Sequence, residues 1–237
     1  MNVLILIPAH NEVETLSAVI REVRNDVPAL PILVVDDAST DGTGEILPGL
    51  GVRWLQLSQH LGIGGAMRAG LRFARFEGFD TVVRLDADGQ HQAAEIPDLL
   101  DHLETENIDA VVGSRFHGSQ GFRTRGALRG AQWALGRFLS LVTGSPVTDP
   151  TSGFWAFGAE ALKLLGDHYP RGYSEPELYL FLHRNALVVR EVGVTMRSRQ
   201  GGRSTLTPTR SAITLVRIAI NMIVVPLRRM VRRHPDV

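Results

Sequence analysis

Asp86 and Asp88, one residue apart and followed by Gln90, offer hard oxygen donors at alternate positions. That pattern suits Mg²⁺ or Mn²⁺ shared with phosphate oxygens and water. Two carboxylates this close repel one another unless a cation lies between them, so the pair itself points to a phosphorylated substrate that helps to hold the ion. Three other polar strings join them: Pro8-Ala9-His10-Asn11-Glu12, Asp36-Asp37-Ala38-Ser39-Thr40-Asp41-Gly42 and Gly113-Ser114-Arg115. Singly, each has an ordinary reading, since Asp-Gly is a turn dipeptide and Ser, Thr or Asp before a helix is a common cap. His91 reads as a supporting or surface group rather than a metal ligand.

The elements that must carry these residues follow from the apolar pattern. Val3 to Ile7 is a continuous apolar run closed by Pro8, as expected of a strand buried on both faces. Leu16, Val19, Ile20 and Val23 recur at helical spacing, and Ile32 to Val35 forms the next strand. The cycle repeats through strand Val52 to Leu57, helix Ala66 to Phe76 and strand Thr81 to Leu85, then helix Ala93 to Thr105 and strand Ala110 to Val112. Such alternation predicts an open, mostly parallel α/β sheet flanked by helices. Ligands of these sheets sit beyond the carboxyl ends of the strands, where all four polar strings fall. Their shared placement outweighs the ordinary reading of each. Residues 117–130, rich in Gly and Arg, read as a mobile basic loop leading into a helix around Leu135 to Val142. A loop Asp149 to Gly153, an apolar segment Phe154 to Phe157, helix Pro176 to Arg184 and strand Leu187 to Val194 follow.

Composition removes whole classes of chemistry. The 237 residues contain no cysteine, so thiolate metal sites, cysteine nucleophiles and disulfides are excluded. Lys163 is the sole lysine and no Walker motif is present, which excludes a P-loop kinase. Gly62-Ile63-Gly64-Gly65 does not follow the first strand, where Pro8-Ala9-His10 stands instead, so a nicotinamide dehydrogenase is a poor fit. Positive charge in the site must come from arginine. The zero net charge conceals a split of about −5 over residues 1–209 and +5 over 210–237. An acidic body argues against a nucleic-acid partner. The first residues carry no secretion signal.

Taken in order and spacing, Ile7-Pro8-Ala9-His10-Asn11-Glu12, Val34 to Thr43, Asp86-Ala87-Asp88-Gly89-Gln90-His91 and Val112-Gly113-Ser114-Arg115 resemble the family 2 glycosyltransferases of the GT-A fold. Asp149 to Phe154 and Arg199-Gln200-Gly201-Gly202-Arg203-Ser204 resemble later signatures of the dolichyl- and polyprenyl-phosphate hexose synthases within it. The resemblance implies that Pro8, His10 and Glu12 flank a nucleotide and that Asp37 accepts a hydrogen bond from its base. It implies that Asp86, Asp88 and Gln90 bind the metal, and that Arg115, Arg199 and Ser204 surround the diphosphate or the acceptor phosphate, with Arg125 and Arg129 nearby. Asp88, Arg115, Asp149 and Arg199 would be the catalytic set, and Glu175 or Glu177 is placed less securely because Pro176 also marks a helix start.

The implied reaction is an inverting transfer of a hexose from a GDP- or UDP-linked donor to polyprenyl phosphate. A phosphate monoester is largely anionic at neutral pH, with a second pKa of about 6, so such an acceptor needs no general base. Residues 210–237 form a separate tail in which Thr214, Arg217 and Asn221 interrupt an apolar run that ends in Arg228, Arg229, Arg232 and Arg233. Too short and too polar to span a bilayer, it reads as an interfacial helix, which sets the protein at the inner face of the membrane. The alternative is a helix packed on the domain or between two copies. Three other functions stay open: a related glycosyltransferase using a glycan, protein or small-molecule acceptor with Asp149 or Glu175 as base, a sugar-1-phosphate nucleotidyltransferase, and a lectin-like binding module.

Overall fold

The computed structural model describes residues 1–104, 108–117, 126–170 and 175–197. Strands β1 (Val3–Ala9), β2 (Ile32–Asp36), β3 (Arg53–Gln56), β4 (Thr81–Arg84), β5 (Ala110–Ser114), β6 (Trp155–Phe157) and β7 (Val189–Gly193) form one sheet in the order β3-β2-β1-β4-β6-β5-β7. Helices α1 (Leu16–Asp26), α2 (Thr43–Ile46), α3 (Ile63–Phe76), α4 (Ile96–Leu103), α5 (Gly126–Thr143), α6 (Ala159–His168) and α7 (Glu175–Arg184) connect and flank them.

The central strands are buried along their whole length, as their unbroken apolar runs require. Alternation along β1 divides the core in two. Leu4 and Leu6 face a layer that includes Met67 and Leu71 of α3, Leu162 and Leu165 of α6 and Tyr179 of α7. Ile5 and Ile7 face Leu16, Ile20 and Val23 of α1 with Ile96 and Leu99 of α4. Each fully buried side chain of this size stabilises the fold by roughly 1.5–3 kcal/mol. Gly70 lets α3 lie against β1, because a Cβ there would come within 2.3 Å of Leu6 Cδ1.

β1 pairs in parallel with both β2 and β4, so the chain order reverses across it and the ends of the three strands share one edge. The apolar segment after Gly153 supplies β6, which enters antiparallel between β4 and β5. Several expected boundaries shift, α3 beginning at Ile63 rather than Ala66. α5 starts at Gly126, so the basic loop read over 117–130 is already helical there, and 118–125 lies outside the described residues. The helix expected from Ala93 opens as a 3₁₀ turn over Ala93–Glu95 before α4, whose first turn holds Pro97. Arg125, Arg199, Ser204 and the tail 210–237 also lie outside the described residues. Among those described, no helix is long and apolar enough to cross a membrane.

Candidate active site

At the ends of β1 and β2 the two loops are stitched together. The backbone N–H of Asp37 donates to the Ala9 carbonyl at 2.9 Å. Asn11 N–H donates to Ser39 Oγ at 2.9 Å, Thr40 N–H to Asn11 Oδ1 at 2.8 Å, and Glu12 N–H to Thr43 Oγ1 at 2.9 Å. These bonds hold Asn11 and Ala38 at φ 57° and 54°, a backbone state that side chains disfavour. Pro8 is buried in β1 opposite Val35, and half-buried Glu12 accepts the Thr15 hydroxyl at 2.9 Å.

The adjacent aspartates do different work. Asp36 is fully buried and accepts hydrogen bonds from Ser39 and from Gln56 Nε2, so it braces the loop. Asp37 is 2% exposed and accepts the Leu61 N–H at 2.7 Å through Oδ1, while Oδ2 makes no hydrogen bond. A buried carboxylate oxygen without a hydrogen bond suits a donor brought by a ligand, although this one already has an imidazole beside it. His60 Nδ1 lies 2.9 Å from that oxygen, and His10 Nδ1 donates to the Asp37 carbonyl at 2.8 Å. The two imidazoles pack together at a 30° tilt with centroids 4.0 Å apart. Among the described residues, His10, Asp37 and His60 also form the one trio whose potential metal-ligand atoms lie within 4.8 Å of one another.

Asp86 and Asp88 lie just beyond β4, both partly exposed. Buried Arg84 donates to Asp86 Oδ1 from Nε at 3.0 Å and from Nη2 at 2.9 Å, and its Nη2 lies 3.5 Å from Glu175 Oε1. Gly153 packs so closely that a Cβ would come within 2.3 Å of Asp86 Oδ2, which ties the loop before β6 to the acidic pair. Asp88 Oδ1 accepts the Gln90 N–H at 3.1 Å across a turn that needs Gly89 at φ 73°. His91 is buried, stacks on Phe154 at 5.0 Å and accepts the Asp86 N–H at 3.1 Å through Nδ1. Burial lowers its pKa against the pull of Asp86 and Asp88. It therefore braces the turn as a neutral ring. The hard carboxylate donors of Asp86 and Asp88 fit Mg²⁺ or Mn²⁺ in kind.

Arg115, after β5, grips Asp149 from two sides, Nε to Oδ2 at 2.6 Å and Nη2 to Oδ1 at 2.6 Å. Its Nη2 also donates to Thr151 Oγ1 at 2.7 Å, an oxygen that Gln132 Nε2 of α5 reaches at 3.0 Å. Burial alone would lower the Arg115 pKa, but Asp149, with Glu175 and Asp86 beyond it, raises it. Arg115 is thus a fixed cation within the field of the acidic pair. Asp149 is itself 0% exposed. Behind it, Glu191 of β7 accepts the N–H groups of Thr148 and Asp149 at 2.7 and 3.0 Å, the Thr148 hydroxyl at 2.6 Å and the Tyr179 hydroxyl at 2.9 Å. Exposed Arg129 lines a cleft of about 540 Å³ with Phe116, Trp133 and Pro146.

The sequence reading thus meets its residues in three groups: His10 with Asp37, Asp86 with Asp88 and Gln90, and Arg115 with Asp149. Glu175 opens α7 and faces Arg84, while Glu177 is buried. Arg84, Glu191 and His60 were missed. A lone arginine inside the apolar run Thr81 to Leu85 was the signal for the first.

A mostly parallel sheet with carboxylates and a fixed arginine at its switch-point edge is an α/β domain of the GT-A fold. The chain belongs to glycosyl transferase family 2, whose model matches residues 4–166, and is a glycosyltransferase. It is 33% identical over 213 residues to the undecaprenyl-phosphate mannosyltransferase of Micrococcus luteus, covering 86% of this chain and 87% of that protein. It is 28% identical over 232 residues to the polyprenol monophosphomannose synthase of Mycolicibacterium smegmatis, covering 91% of this chain and 85% of that one. Among solved structures, glucosyl-3-phosphoglycerate synthase from Mycobacterium tuberculosis, in complex with Mn²⁺, uridine-diphosphate and phosphoglyceric acid, shares the fold with a TM-score of 0.70 at 21% identity. That match covers 94% of this chain and 78% of the other.

Proposed function

We propose that this glycosyltransferase moves a hexose from a GDP- or UDP-linked donor to polyprenyl phosphate, with inversion, at the cytoplasmic membrane surface. The observation that carries the acceptor class is the state of the two carboxylates that a hydroxyl acceptor would need as base. Arg115 takes both oxygens of Asp149, and Arg84 faces Glu175. A phosphate monoester is already an anion and needs neither. The similarity to undecaprenyl-phosphate mannosyltransferase over most of both chains supports the same acceptor.

In this reading His10 and Asp37 hold the base, with Pro8 and Glu12 shaping the loop around it. Asp86, Asp88 and Gln90 would hold Mg²⁺ or Mn²⁺, which when bound neutralises charge on the departing diphosphate. Arg115 faces the phosphates as a preset cation that needs no reorganisation as charge develops. Asp149 acts through Arg115, as a positioning residue. Arg125, Arg129, Arg199 and Ser204 are proposed to meet the acceptor phosphate, and residues 210–237 to hold the enzyme at the lipid surface.

The test offers purified protein a panel of radiolabelled UDP- and GDP-hexoses with Mn²⁺, together with polyprenyl phosphate, a glycan or a peptide. Label should enter the lipid phase with one donor and polyprenyl phosphate. Label on the glycan or peptide instead would favour the other family 2 reading.

A further inference from the structure

We propose that His10, Asp37 and His60 form a second divalent-ion site, one that takes Zn²⁺ or a similar transition-metal ion and, when filled, excludes the nucleotide. The exclusion rests on the reading of Asp37 as the acceptor for the base, whereas the metal site is argued from the trio itself. Three separate segments supply it: the residues just past β1, just past β2, and the loop between β3 and α3. Backbone bonds fix all three. The Asp37 N–H donates to the carbonyl of Ala9, next to His10, and the N–H of Leu61, next to His60, donates to Asp37 Oδ1 at 2.7 Å. The two imidazoles therefore flank one buried carboxylate before any ligand arrives, as a preformed site requires.

Asp37 Oδ2 is the point of convergence. The side chain is 3% exposed, this oxygen makes no hydrogen bond, and His60 Nδ1 lies 2.9 Å from it. Two donors that each stand about 2.0–2.1 Å from a zinc ion are about 3 Å apart, so the pair has the spacing of two ligands of one ion. One ligand atom of His10 completes a set that lies within 4.8 Å. Both rings are exposed, so each can turn a nitrogen lone pair toward an ion while the carboxylate stays fixed. Donor type separates this site from the one at Asp86 and Asp88. Imidazole nitrogen suits zinc, nickel and copper, whereas magnesium prefers oxygen. Two histidines and one carboxylate leave a fourth position for water. With Oδ1 already accepting the Leu61 N–H, an ion on Oδ2 would occupy the oxygen left for the base. Nucleotide and ion thus compete for one atom.

The test uses the full chain freed of any purification tag, with Co²⁺ as a visible probe and Zn²⁺ as its competitor. Co²⁺ should give the visible absorption of a four-coordinate ion bound through nitrogen, and Zn²⁺ should abolish it. His60→Ala and His10→Phe should each weaken Zn²⁺ binding at least about tenfold, the least that losing even an outer partner of a metal ligand costs, while Asp88→Asn leaves that binding unchanged. Circular dichroism verifies the fold of each variant. Zn²⁺ should also weaken binding of UDP or GDP, measured with Mn²⁺, at least about tenfold in the parent chain and not in His60→Ala. Zinc taken up by free nucleotide or at Asp88 would affect both chains alike. Zn²⁺ affinity that survives both histidine substitutions, or that falls in Asp88→Asn instead, would overturn the proposal, as would full nucleotide affinity in the zinc-loaded chain. Asp37→Ala separates the two readings. Unchanged nucleotide affinity in that variant contradicts the base assignment, whereas unchanged Zn²⁺ affinity contradicts the metal site.

Discussion

Arg115 and Asp149 form a two-point clasp: Nε and Nη2 each lie 2.6 Å from a different carboxylate oxygen, and the aspartate is sealed from solvent. Planar guanidinium and carboxylate groups match in this way, and lysine cannot reproduce it. If Asp149 acts only by holding Arg115, then Asp149→Asn and Arg115→Lys should each slow turnover by about a hundredfold. The double variant should be little slower than either alone, because both remove one interaction. Single-turnover rates over a pH series check this. A rate limb that vanishes in Asp149→Asn would instead mark Asp149 as a titrating base.

Asp37 presents a buried oxygen without a hydrogen bond, so its removal should be felt by the nucleotide. Losing a hydrogen bond to a charged group costs about 1.5–3 kcal/mol, which is roughly tenfold or more in affinity. Asp37→Ala should therefore weaken binding of the preferred nucleoside diphosphate by that factor while leaving its dependence on Mn²⁺ intact. Isothermal titration with and without metal reads both, and unchanged affinity would remove Asp37 from the base pocket.

Asp88→Asn should leave the fold intact and abolish turnover, because it halves the carboxylate charge available to a divalent ion. Thermal melts with Mn²⁺ and nucleotide should lose the stabilisation that binding gives the parent protein. A variant that keeps the parental rate, with chelator still inhibiting, would place the metal elsewhere.

Glu191 gathers four donors from the Asp149 loop and Tyr179. Burial first, then the Glu191 carboxylate, pushes the Tyr179 phenol well up, so its proton stays in place as a donor. Glu191→Ala strands those donors and should cost about 3 kcal/mol of stability. Urea unfolding of this variant, beside Tyr179→Phe, measures it; a loss no larger than that of Tyr179→Phe would mean that the loop is held by other contacts.

The parallel strands and the polar residues beyond them were legible in sequence because both signals are local: an apolar run, a stop, and a cluster within a few residues. Asp86, Asp88 and Asp37 were found that way. Arg84 was not, although its partner Asp86 is two residues away, and His60 and Glu191 were not because their partners are brought close only by the fold. Glu191 reads in sequence as one more charge on an edge strand, and only the Thr148 to Asp149 loop folding back onto β7 makes it an anchor. The same holds for Asp149, whose motif marked it as important while its burial under Arg115 decides how it acts. α5 escaped its expected start because the glycines at 126 and 130, set among arginines, look like loop residues.

The central claim is that the acceptor is already an anion. Polyprenyl phosphate and the matching polyprenol, identical except for the phosphate, are offered in parallel with the preferred labelled donor and Mn²⁺. Transfer should occur to the phosphate, giving a phosphodiester-linked sugar, and should be absent with the alcohol. Comparable transfer to the alcohol would show that the site activates a hydroxyl, and would contradict the account.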